Sequence, residues 1–306
     1  MPMTGEKLLA AYAEPGVFTG LDGFEAEIDA LPAHPASAAA VVQGVLMHEA
    51  LGYLYGIALP DERREEVQLH GTTAMLARAQ RLEPGPLTRP RSPERRVLGN
   101  CRHFATLFVA IMRRKGVPAR ARCGFATYFA PGKHFEHWVG EYWNGGEQRW
   151  VLVDAQVDAV QHEAFQINFD PLDVARDRFL VGGDAWRACR SGADPMTFGV
   201  AGTENWGVLE VYGELFQDLA ALRKIELMPW GWYGLALDKA GMRETELLDD
   251  LARISSQADA DALARLREKL AADERLCVPE KVMAMALEAD RARLGRLLGD
   301  GPLTRG

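Results

Sequence analysis

The segment from Asn100 to Pro118 constrains the fold most, because it carries a helical pattern together with the signals that begin and end a helix. Asn100 suits an N-cap, and Gly116 suits the position just past a helix end. Pro118 prevents the helix from continuing. The apolar residues follow the i, i+3, i+4, i+7, i+8 spacing of one buried helix face: Phe104, Leu107, Phe108, Ile111 and Met112. The sequence therefore predicts a helix that begins at Cys101 and packs one face on a core.

Cys101 lies in the first turn of this predicted helix. The free N–H groups and the positive end of the helix dipole favour a thiolate there, so we expect a lowered thiol pKa. The other cysteines, Cys123, Cys189 and Cys277, form no CxxC pair and no disulfide pattern. Cys123 shares a predicted strand face with Phe125 and is expected to be a core residue. Cys101 is therefore the candidate nucleophile.

A predicted hairpin follows the helix. Residues 135–143 and 149–154 read as strands, and Gly-Gly at 145–146 is a two-residue turn signal. With that turn, His137 lies directly opposite Asp154, with Cβ atoms roughly 4.5–5.5 Å apart. At that separation a carboxylate can accept a hydrogen bond from an imidazole. The hairpin therefore predicts a His–Asp pair on one sheet face.

A cysteine at a helix start, a histidine and an aspartate are the residues that thiol catalysis requires. The thiolate attacks a carbonyl, the imidazole moves the proton, and the carboxylate holds the imidazole in the productive tautomer. The pattern thus predicts a triad of Cys101, His137 and Asp154. These residue types also bind zinc, but no other residue has ligand spacing, and we expect no metal and no cofactor.

Residues 97–158 resemble the core of the transglutaminase-like superfamily, which has a papain-like fold. The resemblance rests on the order Cys, His, Asp and on six segments: Gly99-Asn100-Cys101, Leu107 to Arg113, Gly116-Val117-Pro118-Ala119-Arg120, Gly124-Phe125, His137-Trp138-Val139-Gly140-Glu141-Tyr142 and Trp150-Val151-Leu152-Val153-Asp154. It implies that the triad handles acyl groups through a thioester. Members of this superfamily include protein cross-linkers, amide hydrolases, peptidases, amide-forming biosynthetic enzymes and proteins that have lost activity.

The expected fold is α+β and papain-like, with the nucleophile helix packed on an antiparallel sheet and helical additions at both ends. We expect a helical N-terminal extension at 1–90, a transglutaminase-like catalytic core at 91–240 and a helical C-terminal extension at 241–306, together forming one compact unit. Within the first extension, the apolar pattern of 37–55 predicts a helix.

Other site residues follow from their position near the triad. The backbone N–H of Cys101 is expected to help hold an oxyanion, with Asn100 as support. The second donor is sought at 41–55, where Gln43 and His48 are the candidates. The substrate-binding candidates are Arg102, Tyr128, His134, Trp138, Glu141 and Gln156. The aromatic loop at 228–234 either caps a substrate cleft or forms a packed surface corner.

Charge and composition limit the partners. The net charge is −8 and no Lys/Arg run spans a long face, so nucleic acid is not expected as a partner. We expect no membrane association and a cytoplasmic location, since the N-terminus lacks a signal-peptide pattern. The expected partners are a small-molecule or peptide acyl substrate, free or carrier-bound, and an amine or water acceptor. The sequence leaves open hydrolysis, transfer to an amine, and a catalytically silent binding or scaffold module.

Overall fold

The computed structural model describes residues 4–298, and this part of the chain contains eleven α-helices and seven β-strands. The helices are α1 (Gly5–Ala13), α2 (Glu25–Asp29), α3 (Pro35–Val45), α4 (Thr72–Leu82), α5 (Cys101–Arg114), α6 (Ala159–Ala164), α7 (Gly182–Arg190), α8 (Val208–Ala221), α9 (Thr245–Gln257), α10 (Ala260–Ala272) and α11 (Glu280–Leu298). The strands are β1 (Leu46–His48), β2 (Val97–Gly99), β3 (Ala119–Ala126), β4 (His134–Asn144), β5 (Arg149–Val153), β6 (Phe179–Val181) and β7 (Phe198–Gly199).

The main sheet has the order β5-β4-β3-β6, and its neighbouring strands are antiparallel. Strand β7 adds a short parallel pairing to β4. Helices α1–α4 precede this sheet in the chain and α9–α11 follow it, so the α+β fold with helical additions is confirmed. The domain boundaries at 90/91 and 240/241 stay a prediction, and the chain ends 1–3 and 299–306 lie outside the described residues. No helix within 4–298 is long and apolar enough to cross a bilayer.

Helix α5 begins at Cys101, as its capping signals predict. The Asn100 N–H donates to Nδ1 of His103 at 3.1 Å, which is one half of a capping box. Past the other end, Gly116 has φ +73°, a left-handed conformation that glycine adopts without strain. The helix packs closely on β4, because a Cβ added at Gly140 would lie 2.3 Å from the Phe108 ring. This packing fixes the start of α5, and with it Cys101, relative to the sheet.

The β4–β5 hairpin has the predicted strands but a different register. Its last pair is Asn144 with Arg149, so the connection has four residues, 145–148, and not two. Asn144 Oδ1 accepts from the backbone of Gly146 at 3.0 Å, and Gln148 has φ +53°, which together shape the longer turn. The direct opposition of His137 and Asp154 is therefore wrong. A pairing shift of two residues preserves the faces, so these side chains become diagonal neighbours on the same face.

The predicted helix over 37–55 is also wrong in its second half. Helix α3 ends at Val45 and the chain continues as β1, which pairs in parallel with β2 and sets His48 beside Gly99. The Glu49 N–H donates to the Gly99 carbonyl at 2.9 Å. Because Gly99 lies two residues before the first residue of α5, this pairing brings His48 close to the N-terminal end of the helix that carries Cys101.

A buried ion network ties α8 to the sheet. Arg122 makes two hydrogen bonds to the Asp218 carboxylate, at 2.9 and 2.8 Å, and one to Glu141 at 3.1 Å. Arg120 donates to the same Glu141 at 2.6 Å. Burial by itself raises the pKa of Glu141, but the two arginines outweigh it and lower the pKa to about 2. The structure therefore gives no support for Glu141 as a substrate-binding residue, because its charge neutralises buried arginines.

Arg122→Met should destabilise the fold by about 3–5 kcal/mol, because it leaves two buried carboxylates with one cation fewer. Urea unfolding measures this loss. The matched control is Arg149→Met, which breaks an exposed pair with Asp173 and should cost less than about 1 kcal/mol. Equal losses in the two variants would show that the buried network contributes no more than a surface ion pair.

Candidate active site

A cavity of about 830 Å³ opens at the start of α5. Residues Asn100 and Cys101 line it, together with Glu136 and His137 of β4 and Gln156, which follows β5. Aromatic side chains form much of the remaining wall: Tyr53, Phe129, Phe135, Phe165, Trp230 and Trp232. The predicted nucleophile and the predicted base therefore line the same cavity, which is large enough to hold a small organic molecule.

His137 and Asp154 form a buried hydrogen bond, with 2.8 Å between Nε2 and Oδ2. The Asp154 carboxylate also accepts from the Tyr128 hydroxyl at 2.6 Å and from the Gln156 backbone N–H at 3.1 Å. Burial raises the pKa of Asp154, but the positive charge of a protonated His137 and these hydrogen bonds outweigh it and lower the pKa. Asp154 is thus held as an anion that fixes the orientation of the His137 imidazole. Because Nε2 of His137 makes this hydrogen bond, Nδ1 of the same ring is left for other contacts. The Tyr128 hydroxyl, expected to bind substrate, supports this carboxylate instead.

The Cys101 thiol is buried and only 4 % exposed. Its sulfur lies 3.9 Å from Oε1 of Glu136, and the hydrogen bonds of residues 4–298 include none between this thiol and His137. Burial raises the pKa of the thiol well above its ordinary value, and the Glu136 charge raises it further. The expected lowering is therefore wrong, since desolvation and a neighbouring carboxylate outweigh the helix N-terminus. Both effects favour the neutral thiol over the thiolate.

Glu136→Gln should lower the pKa of Cys101. A negative charge at Glu136 disfavours the thiolate, so its removal lets the thiolate form at lower pH. The pH dependence of Cys101 alkylation by iodoacetamide, followed by peptide mass spectrometry, measures the change, and its midpoint should move to lower pH. The exposed Glu62→Gln variant is the control and should leave the midpoint in place. An unchanged midpoint in Glu136→Gln would show that burial alone controls this thiol.

Of the two candidate oxyanion donors, only His48 lines the cavity. Its Nδ1 accepts from the Ala50 N–H at 3.2 Å, so its proton resides on Nε2. Burial and the charge of His137 lower the pKa of His48 to about 4, which keeps the ring neutral. Gln43 donates its side-chain amide to the Val157 carbonyl at 3.1 Å and does not line the cavity, so the structure gives no support for Gln43 in this role.

Three other substrate-binding candidates are used by the fold. Arg102 is fully buried and donates to the carbonyls of Glu226 and His70 at 3.0 and 2.6 Å. Trp138 is 1 % exposed and belongs to the core beneath α5. The His134 ring stacks on Phe198, with 4.1 Å between ring centroids. None of these three side chains lines the cavity, so the structure gives no support for their contact with substrate, whereas Gln156 does line it.

Sequence reasoning missed the acidic side of the cavity. Glu210 and Glu214 of α8 line it, and their i, i+4 spacing, which places both on one helix face, was the available signal. The aromatic loop at 228–234 contributes Pro229, Trp230 and Trp232 to the cavity wall, which decides between its two interpretations. These residues come from segments distant in sequence, so only the fold brings them to Cys101.

A helix that begins with a buried cysteine, packed on an antiparallel sheet with a hydrogen-bonded His–Asp pair, defines a papain-like α+β class. Residues 75–155 match the sequence model of the transglutaminase-like superfamily, so this segment is similar to a transglutaminase-like core domain, in agreement with the resemblance found in the sequence. A solved structure from Cytophaga hutchinsonii, described as a "Putative Cysteine Protease", is similar with 17 % identity and a TM-score of 0.32. That match covers 50 % of this chain and 43 % of the Cytophaga chain. No curated protein matches the chain.

Proposed function

We propose that this protein catalyses cysteine-dependent acyl transfer from an amide or thioester through a covalent thioester on Cys101. The observation that carries the proposal is the shared cavity. Cys101 and His137 both line it, and Asp154 holds the imidazole from behind at 2.8 Å. The transglutaminase-like core over 75–155 supports the same class of chemistry.

In the proposed reaction, the Cys101 thiol leaves Glu136 and gives its proton to Nδ1 of His137. The thiolate attacks the substrate carbonyl carbon, and the tetrahedral intermediate collapses as the leaving amine or thiol takes the proton from His137. An acceptor amine or water then attacks the thioester and passes a proton to His137, and the sulfur departs. Asp154 stabilises the imidazolium that forms in both halves.

Two groups are suited to hold the oxyanion in this mechanism. The backbone N–H of Cys101 lies in the first turn of α5, where N–H groups have no partner within the helix. Neutral His48 presents an Nε2–H donor to the same cavity. Both donors lie near Cys101, where the oxyanion of a tetrahedral intermediate would form.

Intact-mass spectrometry with p-nitrophenyl acetate as an activated acyl donor tests the proposal. We expect one acetyl group per chain, mapped to Cys101 and removed by hydroxylamine. The adduct should be absent in Cys101→Ala and retained in Cys189→Ala, since Cys189 is a partly exposed cysteine outside the cavity. Acylation that persists in Cys101→Ala would contradict the proposed nucleophile.

A second candidate is a catalytically silent binding module on the same fold. The contact between the Cys101 thiol and Glu136 favours it, because a thiol held by a carboxyl is not activated. This candidate predicts no adduct with p-nitrophenyl acetate and slow alkylation of Cys101 at neutral pH. The acylation experiment therefore separates the two functions.

A further inference from the structure

Three phenylalanine rings form one wall of the cavity beside His137. Phe129 follows β3, Phe135 belongs to β4, and Phe165 follows α6. The centroid of the Phe129 ring lies 5.1 Å from those of His137 and Phe165, with interplanar angles of 81° and 73°. The centroid of the Phe135 ring lies 6.5 Å from that of Phe129. These three rings, here called the phenylalanine wall, are therefore continuous with the imidazole of the proposed base.

The phenylalanine wall continues a core cluster but is itself only partly covered. Tyr128 and Phe179 of this cluster are buried, at 9 % and 0 % exposure. Phe129 and Phe165 pack against the cluster and stay half-buried, and both line the cavity. Aromatic rings favour the edge-to-face contacts and the centroid distances that occur within this wall. A further ring in the cavity would therefore extend the aromatic packing and remove apolar surface from water.

The polar groups of the cavity select against an anionic ligand. Acidic side chains line it, and no Lys or Arg of residues 4–298 does: Glu49, Glu136, Glu210 and Glu214. Of the two imidazoles on its surface, His48 is neutral because burial lowers its pKa to about 4, and His137 is paired with Asp154. A carboxylate bound there would be desolvated without a cationic partner, which is costly. The group that packs on the phenylalanine wall should therefore be uncharged.

The cavity has room for more than one ring. A volume of about 830 Å³ lies within the range of pockets that bind whole organic ligands. Tyr53 and Trp230 also line it and are 67 % and 54 % exposed, so they lie where the cavity opens to solvent. A ring on the phenylalanine wall thus leaves the open side for a leaving group or an acceptor.

We propose that the acyl donor carries an uncharged aromatic acyl group, of the arylacetyl class, whose ring packs on the phenylalanine wall. This inference rests on the proposed acyl transfer and adds its substrate class. The Cys101 sulfur attacks the acyl carbon, the bond from that carbon to the leaving group breaks, and the leaving group takes the thiol proton by way of His137. The three phenylalanines bind the acyl group and take no part in the proton transfer.

Acylation of the full-length chain by a matched series of p-nitrophenyl esters tests the inference. The series comprises the acetate, phenylacetate, cyclohexylacetate and 4-carboxyphenylacetate, and each rate is divided by the rate of the same ester with hydroxide to correct for intrinsic reactivity. Phenylacetate should acylate Cys101 at least about tenfold faster than acetate, as expected for the burial of one phenyl ring. Relative to phenylacetate, cyclohexylacetate should be at least about twofold slower, because it lacks aromatic contacts, and 4-carboxyphenylacetate at least about tenfold slower.

The results of this series separate the inference from the proposed function. Acetylation of Cys101 without faster phenylacetylation would overturn the inference and keep the acyl transfer. Equal rates with phenylacetate and cyclohexylacetate would show that the wall recognises apolar groups in general, and would also overturn it. If no ester acylates Cys101, the acyl transfer is rejected and the inference falls with it.

Two variants locate the ring of the acyl group. Phe135→Leu and Phe165→Leu each keep an apolar side chain but remove a ring of the wall. In each, the ratio of the phenylacetate rate to the acetate rate should fall at least about twofold, with the acetate rate unchanged. Because a fold defect lowers both rates together, the ratio reports recognition alone. The matched control is Phe24→Leu, at a half-buried phenylalanine outside the cavity, and it should change neither rate. An unchanged ratio in both wall variants would contradict the proposed site.

Discussion

Cys101→Ala should abolish acyl transfer while the protein stays folded. Removal of a covalent nucleophile costs most of the catalytic acceleration, so we expect the release of p-nitrophenol from p-nitrophenyl acetate to fall at least about 10⁴-fold in kcat. The cost in stability should be small, because the substitution removes a single buried sulfur at the first turn of α5. Stopped-flow absorbance measures the burst and the steady state, and urea unfolding measures the fold.

Cys123→Ala is the control for a buried thiol without a covalent role. Cys123 is fully buried on β3 and donates to Glu214, so its loss should lower the free energy of unfolding through a small cavity while the acyl burst persists. The opposite result would be a Cys123→Ala variant that loses the burst and a Cys101→Ala variant that keeps it. That result would make Cys123 the nucleophile and reject the proposed triad.

Local signals predict the elements of the core well because the determinants lie within the elements themselves. Asn100 and Gly116 set the ends of α5, and an alternating pattern gives the strands on both sides of residues 145–148. The hairpin register was wrong because Gln148 adopts a left-handed conformation that no strong turn signal marks. The face of Asp154 was still correct, since the shift was by two residues.

The remainder of the site could not be predicted, because it depends on which groups neutralise one another after folding. Arg102 and Glu141 look like ligand contacts in a sequence, but the fold uses both in buried polar contacts. Glu210 and Glu214 look like a solvated helix face, but α8 is buried and turns them to the cavity. His48 needed the β1–β2 pairing, which joins segments about fifty residues apart in sequence. Long-range packing, and not local propensity, decides these roles.

Asp154→Asn should reduce kcat by about 10⁴, as for the corresponding change in the serine-protease triad, with a small change in melting temperature. The asparagine keeps the size of the side chain, but its NH₂ group cannot accept from Nε2 of His137. The imidazole then places its proton on Nδ1, the nitrogen that must receive the Cys101 proton. The rate of acetylation by p-nitrophenyl acetate and thermal unfolding are the two measurements.

Tyr128→Phe is the matched control, because it removes one hydrogen bond from the Asp154 carboxylate and leaves its charge and its bond to His137 in place. One such bond contributes about 1–2 kcal/mol, so kcat should fall only about 5–30-fold. If Asp154→Asn loses no more activity than Tyr128→Phe, the carboxylate acts only as a structural acceptor. If it unfolds while Tyr128→Phe stays folded, the buried charge stabilises the sheet, and the His137 tautomer must be tested by NMR of the ring nitrogens in the wild-type chain.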